Sequence, residues 1–287
     1  MSARVGLIVT GKCEQKGLCG SLERVFPETR FELLDRVESF TSADVRELPD
    51  AAGPGTTLDK FAASLVAAVE EEPPDLVVAL DDLELVNAPH PELVAGRVRD
   101  AVQAHLARHS WTSEATREKV IQRVRERCSF HLLAPMVEAY FFAEPEALVR
   151  AGAGRPSRVD ARAIDLEAFV TDDPGYLGHP VVPHKQSPKR KSWAIPLPER
   201  ARHPKHYLRF LCDPANPLTD RYVETKGGAQ ALRELDWSRV FAHREHVRLA
   251  RSLFEDIADR LGVPHPFPGQ GHPATSDFKS ARVLRNL

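Results

Sequence analysis

Val5-Gly6-Leu7-Ile8-Val9, running into Thr10-Gly11-Lys12-Cys13-Glu14, and Leu76-Val77-Val78-Ala79-Leu80, running into Asp81-Asp82-Leu83-Glu84, decide the fold. Short runs rich in β-branched residues and leucine are what strands buried on both faces of a parallel sheet require. In open α/β sheets the reactive groups collect at the carboxyl ends of such strands. Carboxylates massed there repel one another unless a cation or a basic group compensates them, so a divalent metal is the chemistry to expect.

Working outward, Cys13 to Phe26 has helical spacing, with Leu18, Leu22 and Val25 on one side and Pro27 just beyond. Arg30 to Val37 reads as a second strand. Thr56-Thr57 can cap a helix from Leu58 to Glu72, after the loop Ala51 to Gly55. Two helices, Pro91 to His109 and Ser113 to Arg127, precede a strand at Ser129 to Leu133, and a helix with proline at its first position covers Pro135 to Phe142. This order predicts an α/β fold: a mostly parallel sheet flanked by helices over residues 1–150, followed by a helical and loop-rich extension over 151–287 that packs on the core. In the extension, periodic pattern returns at Tyr207 to Leu211, at Gly228 to Leu235 and over His243 to Leu261. The Pro-rich tail from Pro264 reads as a surface arm.

The totals fit a globular protein, with 42% hydrophobic and 28% charged residues. The apolar runs are too short to cross a bilayer, and the N-terminus enters a strand with no signal-peptide pattern. The four cysteines lie far apart without a C-x-x-C pair, which argues for reduced, cytoplasmic thiols. A net charge of −2 hides an asymmetry: His184 to Arg209 carries eight Lys or Arg against one acid, whereas Glu70 to Glu84 carries seven acids and no base. A local basic stretch can supply the field for an anionic partner.

Gly6 to Cys13 (GLIVTGKC) is a near miss to a phosphate-binding P-loop, but its apolar centre is the strand itself and Cys13 replaces the magnesium-binding hydroxyl. The Asp81-Asp82-Leu83-Glu84 loop can bring carboxylates to one hard cation, or be a solvated turn with a capping Asp. Glu138, among apolar neighbours, is either a surface acid or a buried carboxylate that needs a partner. Lys185, Lys189, Arg190 and Lys191, with Trp193, can follow a phosphate backbone or remain a solvated loop. Lys226-Gly227-Gly228 puts a cation before a turn whose amides could hold an anion. His203 and His206 lack a third ligand for zinc and read as basic surface.

Taken together, the two acid-tipped loops resemble the signatures of TOPRIM domains, the metal-binding α/β domains of topoisomerases, bacterial primases and OLD-type nucleases. More closely, the chain resembles a bacterial TOPRIM-like family often encoded beside ATPases and suspected in anti-phage defence. His131 to Phe142 (HLLAPMVEAYFF) resembles that family's Glu-plus-aromatic helix, and His203-Pro204-Lys205, Tyr207-Leu208, Tyr222 and Lys226-Gly227-Gly228 resemble its C-terminal signatures. The family's first loop reads Glu-Gly-x-x-Glu, whereas here Thr10 takes the leading place and only Glu14 remains. Threonine can neither act as a general base near neutrality nor contribute a negative charge to a metal.

The resemblance implies a nuclease using Mg2+ or Mn2+ on nucleic acid, DNA rather than RNA. Asp81, Asp82 and Glu84 would hold the metal, Glu14, Glu138 and Lys226 would serve catalysis, and Lys205 would join the basic stretch on phosphate. Thr10 favours an alternative, a catalytically inactive module that binds nucleic acid or a partner ATPase.

Overall fold

Strands β1 (Ala3–Val9) and β3 (Leu76–Asp82) lie side by side in a four-stranded, all-parallel sheet, with β2 (Thr29–Arg36) and β4 (Cys128–Leu133) outside them in the order β2-β1-β3-β4. The computed structural model describes residues 2–38, 40–42, 53–181, 199–216, 221–277 and 283–287. Val5 pairs with Phe31 on one side and Leu76 on the other, and Leu80 pairs with His131. The central strands are apolar on both faces because both are covered: Val5, Leu7, Ile8 and Val9 of β1 and Leu76 to Leu80 of β3 are buried. In β2 only Thr29 and Phe31 are buried, as suits an edge strand with one wet face. The α/β architecture expected from the two apolar runs is therefore present.

Helices α1 (Lys12–Val25) and α2 (Thr57–Ala67) form the first two crossovers, and α3 (Pro91–Arg108) and α4 (Glu114–Arg127) lie between β3 and β4. Further along come α5 (Pro204–Cys212), α6 (Ala229–Arg233) and α7 (Arg248–Leu261). Their starts are written in the sequence. The Thr56 and Ser113 hydroxyls each accept from a backbone N–H three residues on, at 3.1 Å, and Pro91 opens α3. Helix α7 begins five residues later than the periodicity from His243 suggests. Val247 has φ 57°, a left-handed conformation that a β-branched residue cannot carry into a helix.

The chain divides into two compact units. The first contains Met1–Gly11, Leu22–Leu133 and Arg248–Leu287, and the second Lys12–Ser21 and Ala134–Val247. The division thus falls at Leu133 and Val247 rather than near residue 150, and α7 belongs with the sheet. The reason is visible on β4, where alternation sends neighbouring side chains to opposite faces. Phe130 meets Phe61 of α2 edge-on at 5.8 Å, while His131 on the other face bonds Asp256 of α7 at 3.1 Å.

The C-terminal tail is not a surface arm. Thr275, Leu284 and Asn286 are buried, and the Arg285 amide donates to Cys128 O at 2.7 Å. The Asn286 side chain accepts from Phe130 N (3.1 Å) and donates to Phe130 O (2.7 Å) and Thr275 O (2.8 Å). One amide side chain thereby does for the open edge of β4 what a neighbouring strand would do. Asn286→Ala is expected to lower stability by about 1–3 kcal/mol, since it strands buried backbone groups. Urea unfolding measures the loss, and unchanged stability would mean that water replaces the amide.

Among the described residues no helix is long and apolar enough to cross a membrane. All four cysteines are free thiols, and burial pushes the Cys128 thiol above its ordinary range.

Candidate functional site

From β1 the chain crosses to β2 on one side, while β3 is followed by β4 on the other, so the carboxyl ends of β1 and β3 flank the point where the sheet order reverses. Thr10 and Asp81 stand there, in the first unit. The Thr10 hydroxyl donates to Asp81 Oδ1 and the Ser42 amide donates to Asp81 Oδ2 at 2.7 Å. Ser42 also ties the turn after β3. Its hydroxyl lies 2.7 Å from Asp82 O and 2.8 Å from Leu83 O, and its own carbonyl accepts from Asn87 Nδ2 at 2.6 Å. Asp81 is buried and held in one orientation. Asp82, next along the strand, is half-buried and turned by alternation to the other face. Glu84 follows at φ 61°, a left-handed conformation that costs a non-glycine residue about 1–2 kcal/mol and opens the single helical turn Glu84–Asn87. Strain of this kind gathers at functional turns.

The second unit contains another acidic group. Glu14, near the start of α1, and Glu138, in the buried 3-10 segment Val137–Ala143, are both buried. That segment starts two residues later than the helix expected at Pro135, with Met136 extended and the Tyr140 hydroxyl accepting from Ala134 N at 3.0 Å. Glu138 Oε1 accepts from the Tyr222 hydroxyl at 2.9 Å and lies 3.5 Å from Lys205 Nζ. Lys205 reaches Glu224 Oε1 at 2.8 Å, and Arg209 Nη2 faces the same oxygen at 3.9 Å. Glu138 Oε2 is buried without a hydrogen-bond partner.

These charges act on one another. Burial pushes the Glu14 carboxyl up to about 7, with Glu138 and Glu224 adding to the shift and its own backbone amide and Lys205 opposing it. Burial would lower the Lys205 ammonium, but Glu138 and Glu224 reverse this and hold it above its ordinary range. Burial, then Glu138, raises the Tyr222 phenol, so it stays a hydrogen-bond donor.

The Gly228 of the Lys-Gly-Gly sequence has a packing reason. A Cβ there would stand 2.5 Å from the Tyr222 hydroxyl, so only glycine lets that phenol reach Glu138. The amides of Lys226 and Gly228 donate to Val223 O at 3.0 and 3.1 Å within the π-helical turn Glu224–Gly228, so they are engaged rather than open to an anion. Lys226 itself is exposed.

Of the residues predicted from sequence, Glu14, Glu138 and Lys205 come together in the second unit, and Asp81, Asp82 and Glu84 follow one another at the end of β3. Lys185, Lys189, Arg190, Lys191 and Trp193 lie outside the described residues. His203 and His206 stack at 3.7 Å, and burial lowers them to about 3 and about 2, which makes them neutral rather than part of a basic surface. Ser42, Asn87, Arg209 and Glu224 were not singled out. Glu224 carried a usable signal, an acid set between Tyr222 and Lys226, whereas nothing local marks Ser42.

Among the described residues no three His, Cys, Asp or Glu side chains converge as a ready set of metal ligands. Magnesium does not demand one, because it keeps several waters and binds through one or two carboxylates together with substrate phosphate. The oxygen donors at the end of β3 suit such an ion, and the bonds from Thr10 and Ser42 orient Asp81 as supporting groups orient ligating carboxylates. No protein-family model matches the chain, and searches of curated proteins and of solved structures find no match either.

Proposed function

We propose that the chain carries out TOPRIM-type, divalent-metal-dependent phosphodiester chemistry on nucleic acid, with Mg2+ or Mn2+ held by one or two of the carboxylates Asp81, Asp82 and Glu84 together with substrate phosphate. The observation that carries this reading is the placement of Asp81 at the carboxyl end of a central strand, where the sheet order reverses. Such an ion, when bound, neutralises phosphate charge and activates water. Thr10 and Ser42 fix Asp81. Glu14, with its carboxyl at about 7, is suited to move a proton near neutrality, since general acid–base groups work best when their pKa is close to the working pH. Glu138 stands within reach of Lys205 and Tyr222 and adds to the upward shift that burial gives Glu14. A role in anti-phage defence, alongside an ATPase, rests on the family resemblance alone.

With Mn2+, the purified protein is expected to nick plasmid or degrade a short duplex, and Asp82→Ala to reduce the rate by about 100-fold or more, the scale of losing a metal ligand or its support. Equal cleavage by wild type and Asp82→Ala would remove the assigned ligands.

A specific contact favours the second reading, an inactive module that binds nucleic acid or a partner ATPase. Thr10 gives Asp81 a neutral donor where the family's leading acid would stand. Thr10→Glu distinguishes the two. Gain of Mn2+-dependent cleavage by this variant, in a chain that lacks it otherwise, would identify lost catalysis.

A further inference from the structure

A carboxylate oxygen buried without a partner is expensive, because desolvation of a charged group is not returned by a bond. Glu138 Oε2 is such an oxygen, on a side chain only 1% exposed. Beside it, a single ammonium spans two carboxylates: Lys205 Nζ is 2.8 Å from Glu224 Oε1 and 3.5 Å from Glu138 Oε1. Glu224 also faces Arg209 Nη2 at 3.9 Å, whereas among the described residues the shared Lys205 ammonium, at 3.5 Å, is the one cation within ion-pair distance of the buried Glu138. The Tyr222 hydroxyl fixes Glu138 by one oxygen and leaves the other buried without a bond. Buried oxygens left unsatisfied in this way call for a water or an ion. The surroundings favour the ion, since hard cations take carboxylate oxygens and are oriented by bonds to those carboxylates.

We propose that Glu138 and Glu224 form a divalent-cation site of their own, which Lys205 closes in the ion-free protein and vacates when the ion enters. The lysine is then a tethered competitor. Entry of the ion exchanges one ammonium for one divalent cation and frees the Lys205 side chain toward solvent, where it can meet an anion. This site lies wholly in the second unit and does not depend on the acids of β3.

The test uses the full chain carrying Asp82→Ala, so that an ion at β3 cannot account for the result. Calorimetric titration with Mn2+ is expected to show at least about tenfold tighter binding when Lys205→Met is added. Addition of Glu138→Gln to that variant is expected to abolish the gain. Binding unchanged by Lys205→Met, or a gain that survives Glu138→Gln, would overturn the proposal. Should Lys205→Met fail to fold, the parent protein answers the question through the reactivity of its own lysine. Mn2+ is expected to raise acylation of Lys205 by an amine-directed reagent, read by peptide mass spectrometry. Protection that stays the same or increases with Mn2+ would show a permanent ion pair and would sink the exchange.

Discussion

Glu14→Gln is expected to stabilise the protein at pH 8 by about 2–4 kcal/mol, using 1.36 kcal/mol per pKa unit, and to leave it nearly unchanged at pH 4. The Glu14 carboxyl is raised from 4.5 to about 7, first by burial and then by Glu138 and Glu224. Its folded pKa therefore exceeds its unfolded one. The folded chain holds a proton that the unfolded chain has released, so this residue's contribution is fully present below pH 4.5 and is lost as pH rises through 7. Glutamine resembles the protonated form at every pH and removes that slope. Denaturant unfolding at several pH values, in chelator, gives the two stability curves. They should converge at acid pH and separate between pH 4.5 and 7. Parallel curves would mean that Glu14 is solvated and ordinary. The same variant should lose cleavage if Glu14 moves a proton, and a gain in stability joined to a loss of activity marks a residue kept for its chemistry.

Much of this fold is legible in the sequence. The apolar runs at Val5–Val9 and Leu76–Leu80 are central strands because parallel strands covered on both faces need such runs. Thr56, Pro91 and Ser113 announce helices because capping is local chemistry. The acids after β3 were legible for the same reason: a strand end followed by carboxylates is a pattern within one short stretch.

The unread parts depend on partners distant in sequence. The stretch Lys12–Ser21 of α1 belongs with residues far beyond β4, where Trp237 Nε1 donates to Ser21 Oγ at 2.8 Å and a Cβ on Gly17 would stand 2.6 Å from Ala229 O. No periodicity encodes that. Proline content suggested a loose tail, yet Asn286 is fixed by the backbone of β4, and proline restricts a chain without saying where it docks. Glu138 was singled out on its apolar neighbours, but its role turns on Tyr222, Lys205 and the absence of a Cβ at Gly228. The candidate site was thus legible as a set of acids and illegible as a distribution of charge. Lys205 shows the difference. In sequence it belongs to a basic stretch, whereas in space it joins two carboxylates.

Asp256→Ala is expected to cost about 3–5 kcal/mol, the range for breaking a buried ion pair from one side. Asp256 is fully buried, with Oδ2 3.1 Å from His131 Nε2 and Oδ1 2.7 Å from Arg285 Nε. Burial alone would raise its pKa, but the bond from His131 and the charge of Arg285 hold it below the usual carboxylate value of 3.8. Its contribution is therefore present above pH 3.8 and is lost as pH falls through the lower folded value. Alanine leaves a fully buried imidazole without its acceptor, while Arg285 keeps Asp259 as a second partner. Two consequences separate this from a simple cavity. Because the backbone of Arg285 bonds Cys128 and Asn286 bonds Phe130, loosening Arg285 should expose the edge of β4, and hydrogen exchange at the Phe130 amide should quicken more than at Val78 in β3. Addition of His131→Ala to Asp256→Ala should also cost less than His131→Ala alone, since the two share one interaction. Stability within about 1 kcal/mol of wild type, the scale of a surface substitution or less, with unchanged exchange at Phe130, would show that His131 and the tail hold β4 without the carboxylate.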